Sequence, residues 1–368
     1  MRQRIITAFF LTVILSSLAG WLAGVKTDTR ENRKKAEAPP VSMRNMLDSR
    51  FYSELGGFLD DRFPFRGLLI RIKNRIDYSI FNTSPSPKVI LGRDGWLFTR
   101  YGLDHYFRDS CADREKMRRL ARALNRLERV LEASGRRLVF VVAPNKSTIY
   151  PEHVGISRPS NPCGKSDYDL LLEAFREYPV RGFVRLDDLL IRAKGKSRVY
   201  YRTDSHWNLT GAIIASRAIL EKIAPDRWKR YFPEMEFKDL RANHDLSGMI
   251  DMVGVDWREA SVGLKGINYV STIEEEQREP LENGLPRLSF TSRPTFEGDL
   301  LPRVIMYRDS FMNSPLGLLK GSFEHIDALW SYNVPVAKDI DLEDFLASRI
   351  VLIEVVERHL GVLDIRVD

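Results

Sequence analysis

Arg137-Leu138-Val139-Phe140-Val141-Val142-Ala143-Pro144-Asn145-Lys146-Ser147 is the stretch on which the fold turns. Its first six residues are apolar after the leading arginine and have the length of a buried strand rather than a helix. The run stops in a polar loop, Pro144 to Ser147. Open α/β sheets place their sites at such carboxyl ends, which makes Asn145 and Lys146 candidates for contact with a reacting group. Asn145 would donate to an oxyanion and Lys146 would touch substrate; a turn residue and a solvated lysine are the plainer readings.

Upstream, Met117, Leu120, Ala121, Leu124, Leu127, Val130 and Leu131 recur at helical spacing over residues 113–134, with charges on the other face. Downstream the alternation repeats. A helix is expected over 168–178, a short strand at Val184-Arg185-Leu186, a helical turn from Leu189 to Lys194 and a helix from Leu209 to Ile223. Val304 to Met306, Ala328-Leu329-Trp330 and Ile350 to Val356 are further strands, with helices over 311–320 and Leu342 to Ala347. Strands alternating with helices predict an α/β sandwich with a mostly parallel sheet. Val89 to Phe98, with Gly92-Arg93-Asp94-Gly95 in its middle, predicts a hairpin. The pieces over 256–300, punctuated by Pro and Gly, predict a β insertion, and Leu240 to Val255 reads as a polar loop. Before all this, the apolar spacing from Phe51 to Asn74 predicts one or two amphipathic helices, broken at Pro64.

The chain has 368 residues, 43% hydrophobic and 29% charged, with a formal net charge of +7. That is a globular composition. The positive balance would suit an acidic partner, but basic and acidic residues are interleaved and no basic arm or nucleic-acid motif is present, so no nucleic acid is expected. Residues 5–25 are nearly all apolar or small after Arg2 and Arg4. Such a run is long enough to span a bilayer, and its charged start also fits a secretory signal. The expectation is a transmembrane anchor over 1–25, a linker over 26–42 and a single catalytic domain over 43–368. The bulk would lie outside the cytoplasm, in the periplasm; cleavage after the small residues Ser17 to Ala19 would release it instead. Lys26, Arg30, Arg33, Lys34 and Lys35 follow the span and run against export by the positive-inside rule. In an exported protein Cys111 and Cys163 could pair, a bridge worth about 4 kcal/mol in the chain-entropy model, against the plainer alternative of two unpaired, buried thiols; export favours the bridge.

Two stretches carry chemistry. Thr203-Asp204-Ser205-His206-Trp207 places a carboxylate and an imidazole two residues apart, on one side if the segment is extended. Arg308-Asp309-Ser310-Phe311 ends a strand on a serine before a helix, where a backbone N–H can face a developing oxyanion. Asp204 would orient His206, and His206 would activate Ser310. The bland alternative is an ordinary polar turn at 204–206 and a pair of helix caps at 309–310. The other histidines, His105, His153, His244, His325 and His359, lack zinc-site spacing. His244-Asp245 near Asp251 could hold a metal but fits loop polar groups better, and no metal or organic cofactor is expected. Glu357 and Arg358 read as an ion pair.

Thr203-Asp204-Ser205-His206-Trp207-Asn208 resembles the Asp-x-His-Trp signature of the AlgJ/AlgX-like polysaccharide O-acetyltransferases, of the SGNH-hydrolase-like superfamily. Phe63-Pro64-Phe65-Arg66, Gly92 to Phe98, Pro144 to Pro151 and Asp245 to Met249 resemble other blocks of that family in the same order. The resemblance implies a three-layer α/β/α sandwich of SGNH-hydrolase-like type, with Ser310 as nucleophile, His206 as base and Asp204 as orienter. It also implies a polysaccharide acceptor and an acyl donor delivered by a membrane-bound protein. Arg308 stands where the family's serine block often has glycine. A side chain there would close the backbone approach to the oxyanion hole, while an arginine beside the site would hold an anionic sugar. An acetylesterase on the same triad, a non-catalytic polysaccharide-binding subunit and a metal-dependent phosphodiesterase are the competing functions.

Overall fold

A computed structural model describes residues 2–25, 35–103, 112–155, 164–226, 228–231, 234–242, 245–256, 259–268, 271–280, 286–294, 300–334 and 342–366. Cys111 and Cys163, with the pairing expected of them, lie outside these residues, as do His105 and His244. The chain divides into two compact units, Met1–Ile90 with Asp245–Trp257, and Leu91–His244 with Arg258–Asp368.

The first unit is helical. Helices Ser49–Arg62 and Arg66–Ser79 are separated at Phe63-Pro64-Phe65, as the proline demands. Asp48 caps the first of them by accepting from Arg50 N–H at 2.9 Å. Asn74 is buried and donates to the Asp251 carbonyl at 2.9 Å. The N-terminal helix forms over Arg2–Leu22, but the expected membrane span is not supported: among the described residues, no helix is long and apolar enough to cross a membrane. The helix includes Arg2, Gln3 and Arg4, and Thr7, Thr12, Ser16 and Ser17 interrupt its apolar run. Near its end Gly20 is buried against the chain itself, so close that a Cβ there would lie 3.1 Å from Pro64 and 3.3 Å from Phe65.

The strands are β1 (Val89–Leu91), β2 (Leu97–Thr99), β3 (Arg137–Ala143), β4 (Phe183–Arg185), β5 (Glu234–Ala242), β6 (Glu259–Asn268), β7 (Ser271–Pro280), β8 (Pro286–Pro294), β9 (Val304–Arg308), β10 (His325–Trp330), β11 (Asn333–Val334), β12 (Ile350–Val356) and β13 (Asp364–Ile365). The turn between β1 and β2 closes through Gly92 N–H to the Trp96 carbonyl at 2.7 Å. Gly95, at φ 75°, takes the left-handed conformation that the turn requires.

The second unit is built on a seven-stranded sheet of order β4-β3-β12-β9-β10-β8-β7. The first five strands are parallel. β8 and β7 extend the sheet antiparallel beyond β10. β5 and β6 pair antiparallel in a sheet of their own, so the strands of the 256–300 region are shared between two sheets. Burial explains the continuous apolar runs. Leu138, Phe140, Val142, Ile305, Tyr307, Val351, Ile353 and Val355 share a core with the Arg114–Ala133 and Asp167–Glu177 helices. Val139, Val141, Val304, Met306 and Leu352, at alternate positions of the same strands, are equally buried. On β3 and β4 packs the Leu209–Ile223 helix, which in turn contacts the Asn313–Leu319 helix. Helices therefore cover both faces, as a parallel sheet requires. The β3, β9 and β12 register is continuous, so Ala143 and Val356 end level with each other.

Candidate active site

The carboxyl edge of that register gathers the chemistry. β9 ends at Arg308, and the chain turns at once into a 3₁₀ turn, Ser310–Met312. Asp309 caps the turn: its Oδ1 accepts from Phe311 N–H at 2.9 Å and its Oδ2 from Val356 N–H at 2.8 Å. The Asp309 N–H donates to Glu354 Oε2 at 3.0 Å. The serine is thus held by its neighbour to the end of β12, while its own side chain remains partly exposed.

Against it lies the loop before the Leu209–Ile223 helix. His206 Nε2 is 2.8 Å from Ser310 Oγ, and His206 Nδ1 is 2.7 Å from Asp204 Oδ1. The segment is not extended, as expected from the sequence, but a succession of bends closed by a bridge between Tyr200 and Trp207. Asp204 and His206 meet because Asp204 Oδ1 also accepts the His206 backbone N–H, at 2.8 Å; this is an Asx turn. Nδ1–H donated to Asp204 leaves Nε2 as the acceptor for the Ser310 hydroxyl. Phe311 supports the imidazole with ring centres 4.7 Å apart and contacts Trp207 edge-on at 5.1 Å.

Of the remaining candidates, Asn145 and Lys146 lie at the end of β3 but are buried, each 4% exposed. Asn145 N–H donates to Glu357 Oε2 at 2.8 Å, and Asn145 Oδ1 accepts from Arg358 Nη1 at 3.4 Å. Lys146 is turned inward: its Nζ donates to the carbonyls of Tyr201, Arg202 and Asp204 at 3.1, 3.0 and 2.6 Å. Arg308 is likewise buried, 1% exposed, with its guanidinium 5.1 Å over the Trp330 ring and 2.6 Å from Asn313 Oδ1. It does not face solvent. Burial pushes its pKa down, opposed by Glu354 and Asp309.

Glu357 and Arg358 do not form the expected ion pair. Glu357 turns inward to Asn145 and to Thr148 Oγ1, at 2.5 Å, whereas Arg358 stacks 5.2 Å over the Phe311 ring. Burial drives the Glu357 carboxyl up to about 7, against these two hydrogen bonds. Burial, then the neighbouring Asp309, pushes the Glu354 carboxyl well above its ordinary range. Among the other histidines, His153 stacks on Trp96, His325 bonds Asp327 and His359 bonds the Tyr332 hydroxyl. Sequence reasoning missed Glu259, whose Oε2 accepts from Arg202 N–H, Thr203 N–H and Thr203 Oγ1 at 2.9, 3.2 and 3.2 Å. Nothing in a lone glutamate fifty residues downstream marks it.

The profile of the family described as "SGNH hydrolase-like domain, acetyltransferase AlgX" matches residues 89–284. Among curated proteins, the "Probable alginate O-acetylase AlgJ" of Pseudomonas putida is 30% identical over 168 residues, 45% of this chain and 41% of that protein. Its counterpart in Pseudomonas syringae pv. tomato is 33% identical over 169 residues, 45% and 40% of the respective chains. The chain thus matches about two-fifths of the length of these relatives. A solved structure, the O-acetyltransferase domain of Pseudomonas putida AlgJ, superposes with a TM-score of 0.51 at 21% identity, covering 76% of this chain and 94% of that one, and supports the SGNH-like α/β fold. With more than half of its residues matched by the family profile, the chain belongs to the AlgX-type family of SGNH hydrolase-like acetyltransferase domains.

Proposed function

We propose that the protein is an O-acetyltransferase that moves an acetyl group through Ser310 to hydroxyls of a polysaccharide outside the cytoplasm. The observation that carries the reading is the continuous chain Ser310 Oγ, His206 Nε2, His206 Nδ1, Asp204 Oδ1, with steps of 2.8 and 2.7 Å between side chains. Those are reaction-ready separations for a nucleophile, a base and its orienter.

In the first half-reaction His206 Nε2 takes the Ser310 proton as Oγ attacks the acetyl carbonyl. The donor's leaving group departs with that proton, and the acetyl remains on Oγ. In the second, His206 takes the proton of a sugar hydroxyl, whose oxygen attacks the acetyl-serine; the proton returns to Oγ as the C–O bond to Ser310 breaks. Asp204 stabilises the imidazolium formed in each half. The first N–H groups of a helical turn have no partner within it, so the Ser310 amide is a donor for the oxyanion. Asn145, at the end of β3, is the candidate for a second. The polysaccharide acceptor is supported by the names of the curated relatives, and delivery of the acetyl by a membrane-bound donor protein belongs to the same proposal.

The test is acetyl transfer from an activated acetate ester to oligosaccharides, followed by mass, for the wild-type chain and Ser310→Ala. Transfer by the wild type and its loss in the variant are expected. Acetyl release by Ser310→Ala at the wild-type rate would refute the nucleophile, and hydrolysis with no transfer would make the protein an esterase.

A further inference from the structure

We propose that Lys146 and Glu259 are positioning residues, an ammonium and a carboxylate that clamp the backbone of the Asp204–His206 loop from opposite sides; the inference rests on the acyl-transfer reading above. Residues 201–206 belong to no helix or ladder, so their peptide groups need partners elsewhere. Both partners are buried ions. Lys146 spends three N–H donors on the Tyr201, Arg202 and Asp204 carbonyls, at 3.1, 3.0 and 2.6 Å. Glu259 collects the Arg202 and Thr203 N–H groups and the Thr203 hydroxyl on one oxygen. Arg202 is therefore gripped by a cation on its carbonyl and an anion on its N–H.

Each ion is held in turn. Arg198 Nη2 lies 2.6 Å from Glu259 Oε1. Lys146 Nζ faces the Trp96 and Phe98 rings at 5.6 and 5.1 Å, and Leu97 N–H adds a bond to the Arg202 carbonyl at 2.9 Å. Both ions are 4% exposed, and hydrogen bonds from ions are about twice as strong as neutral ones. The bond from Lys146 to the Asp204 carbonyl is the shortest of its three. It fixes the peptide from which the His206-orienting carboxylate projects. A displacement of this loop on the order of 1 Å is enough to lose roughly 100-fold in turnover.

The experiment compares the full chain with Lys146→Met, Glu259→Gln and the double variant. Three quantities are read: kcat and KM on an acetate ester, the unfolding midpoint, and the low-field proton resonance of the imidazole N–H bonded to Asp204. Glu259→Gln keeps the shape and an acceptor, and carries the test if Lys146→Met does not fold. The expected result is a folded protein with unchanged KM, kcat lower by roughly 100-fold, and a lost or shifted imidazole resonance. The double variant should be no slower than the worse single one, because both ions hold one loop. A folded variant with wild-type kcat and resonance would make these residues merely structural and overturn the proposal, as would rate losses that multiply in the double variant. The resonance reports the Asp204–His206 bond without turnover, so failure of the clamp is separable from failure of Ser310 as nucleophile.

Discussion

Glu357→Gln is the perturbation whose size can be worked out from the structure. Glu357 follows the last residue of β12 and is 5% exposed. Two hydrogen bonds, from Asn145 N–H and Thr148 Oγ1, favour its carboxylate form. Burial opposes them and wins, with Asp169 and Asp187 adding repulsion, so the carboxyl rises from its ordinary 4.5 to about 7. At about 1.4 kcal/mol per pH unit, ionised Glu357 makes folding ~3 kcal/mol less favourable than protonated Glu357 does. The folded state holds this proton more tightly than the unfolded state. The stability is therefore fully present below pH 4.5 and is lost as pH rises through about 7. Glutamine keeps an oxygen that accepts both hydrogen bonds and cannot ionise. Relative to Glu357→Gln, the wild type should lose ~3 kcal/mol between mildly acidic and mildly alkaline pH. Urea unfolding of both proteins across that window measures it. Parallel stability curves would refute the reasoning, since they would mean that burial does not overcome the two hydrogen bonds.

Asp204→Asn tests the orienter. An amide cannot select the Nδ1–H tautomer as a carboxylate does, so kcat on an acetate ester should fall by roughly 10⁴-fold while the unfolding midpoint stays close to that of the wild type; a loss of a few fold would remove Asp204 from the mechanism. Gly211→Ala tests how the loop joins its helix. A Cβ at 211 would lie 2.4 Å from the Val199 carbonyl and 2.7 Å from Trp207 Cβ, so about 1–3 kcal/mol of stability should be lost to overpacking, read by urea unfolding.

Legibility followed burial. β3, β9 and β12 could be read from Leu138 to Val142, Val304 to Met306 and Ile350 to Val356, because strands covered on both faces must be apolar throughout. The break at Pro64 and the turn at Gly95 were legible for stereochemical reasons. β5 was missed, and the joining of β7 and β8 to the main sheet could not be read. Glu274, Glu275, Glu276 and Gln277 give β7 no apolar alternation, so its place depends on pairing with β8. In the candidate site, Asp204, His206 and Ser310 were found as residue types at suggestive positions, but the reason two of them meet was misread. The cause is an Asx turn rather than an extended segment. Lys146 was noticed for its position and given the wrong direction. A sequence shows that a lysine follows a strand, not which carbonyls a loop fifty residues later leaves unsatisfied.

Arg308 stands where the resemblance leads us to expect a glycine, and its surroundings explain how an arginine is accommodated there. Its guanidinium lies over Trp330, its partner at the end of the neighbouring strand, and bonds Asn313 Oδ1. Burying a guanidinium is costly unless charge and hydrogen bonds compensate it. Compensation comes from the neighbouring acidic groups Glu354 and Asp309, whose electrostatic effect on Arg308 opposes that of burial. Asp309 is the residue that caps the Ser310 turn and ties it to Val356. The arginine thus places a positive charge beside the carboxylate that caps the Ser310 turn.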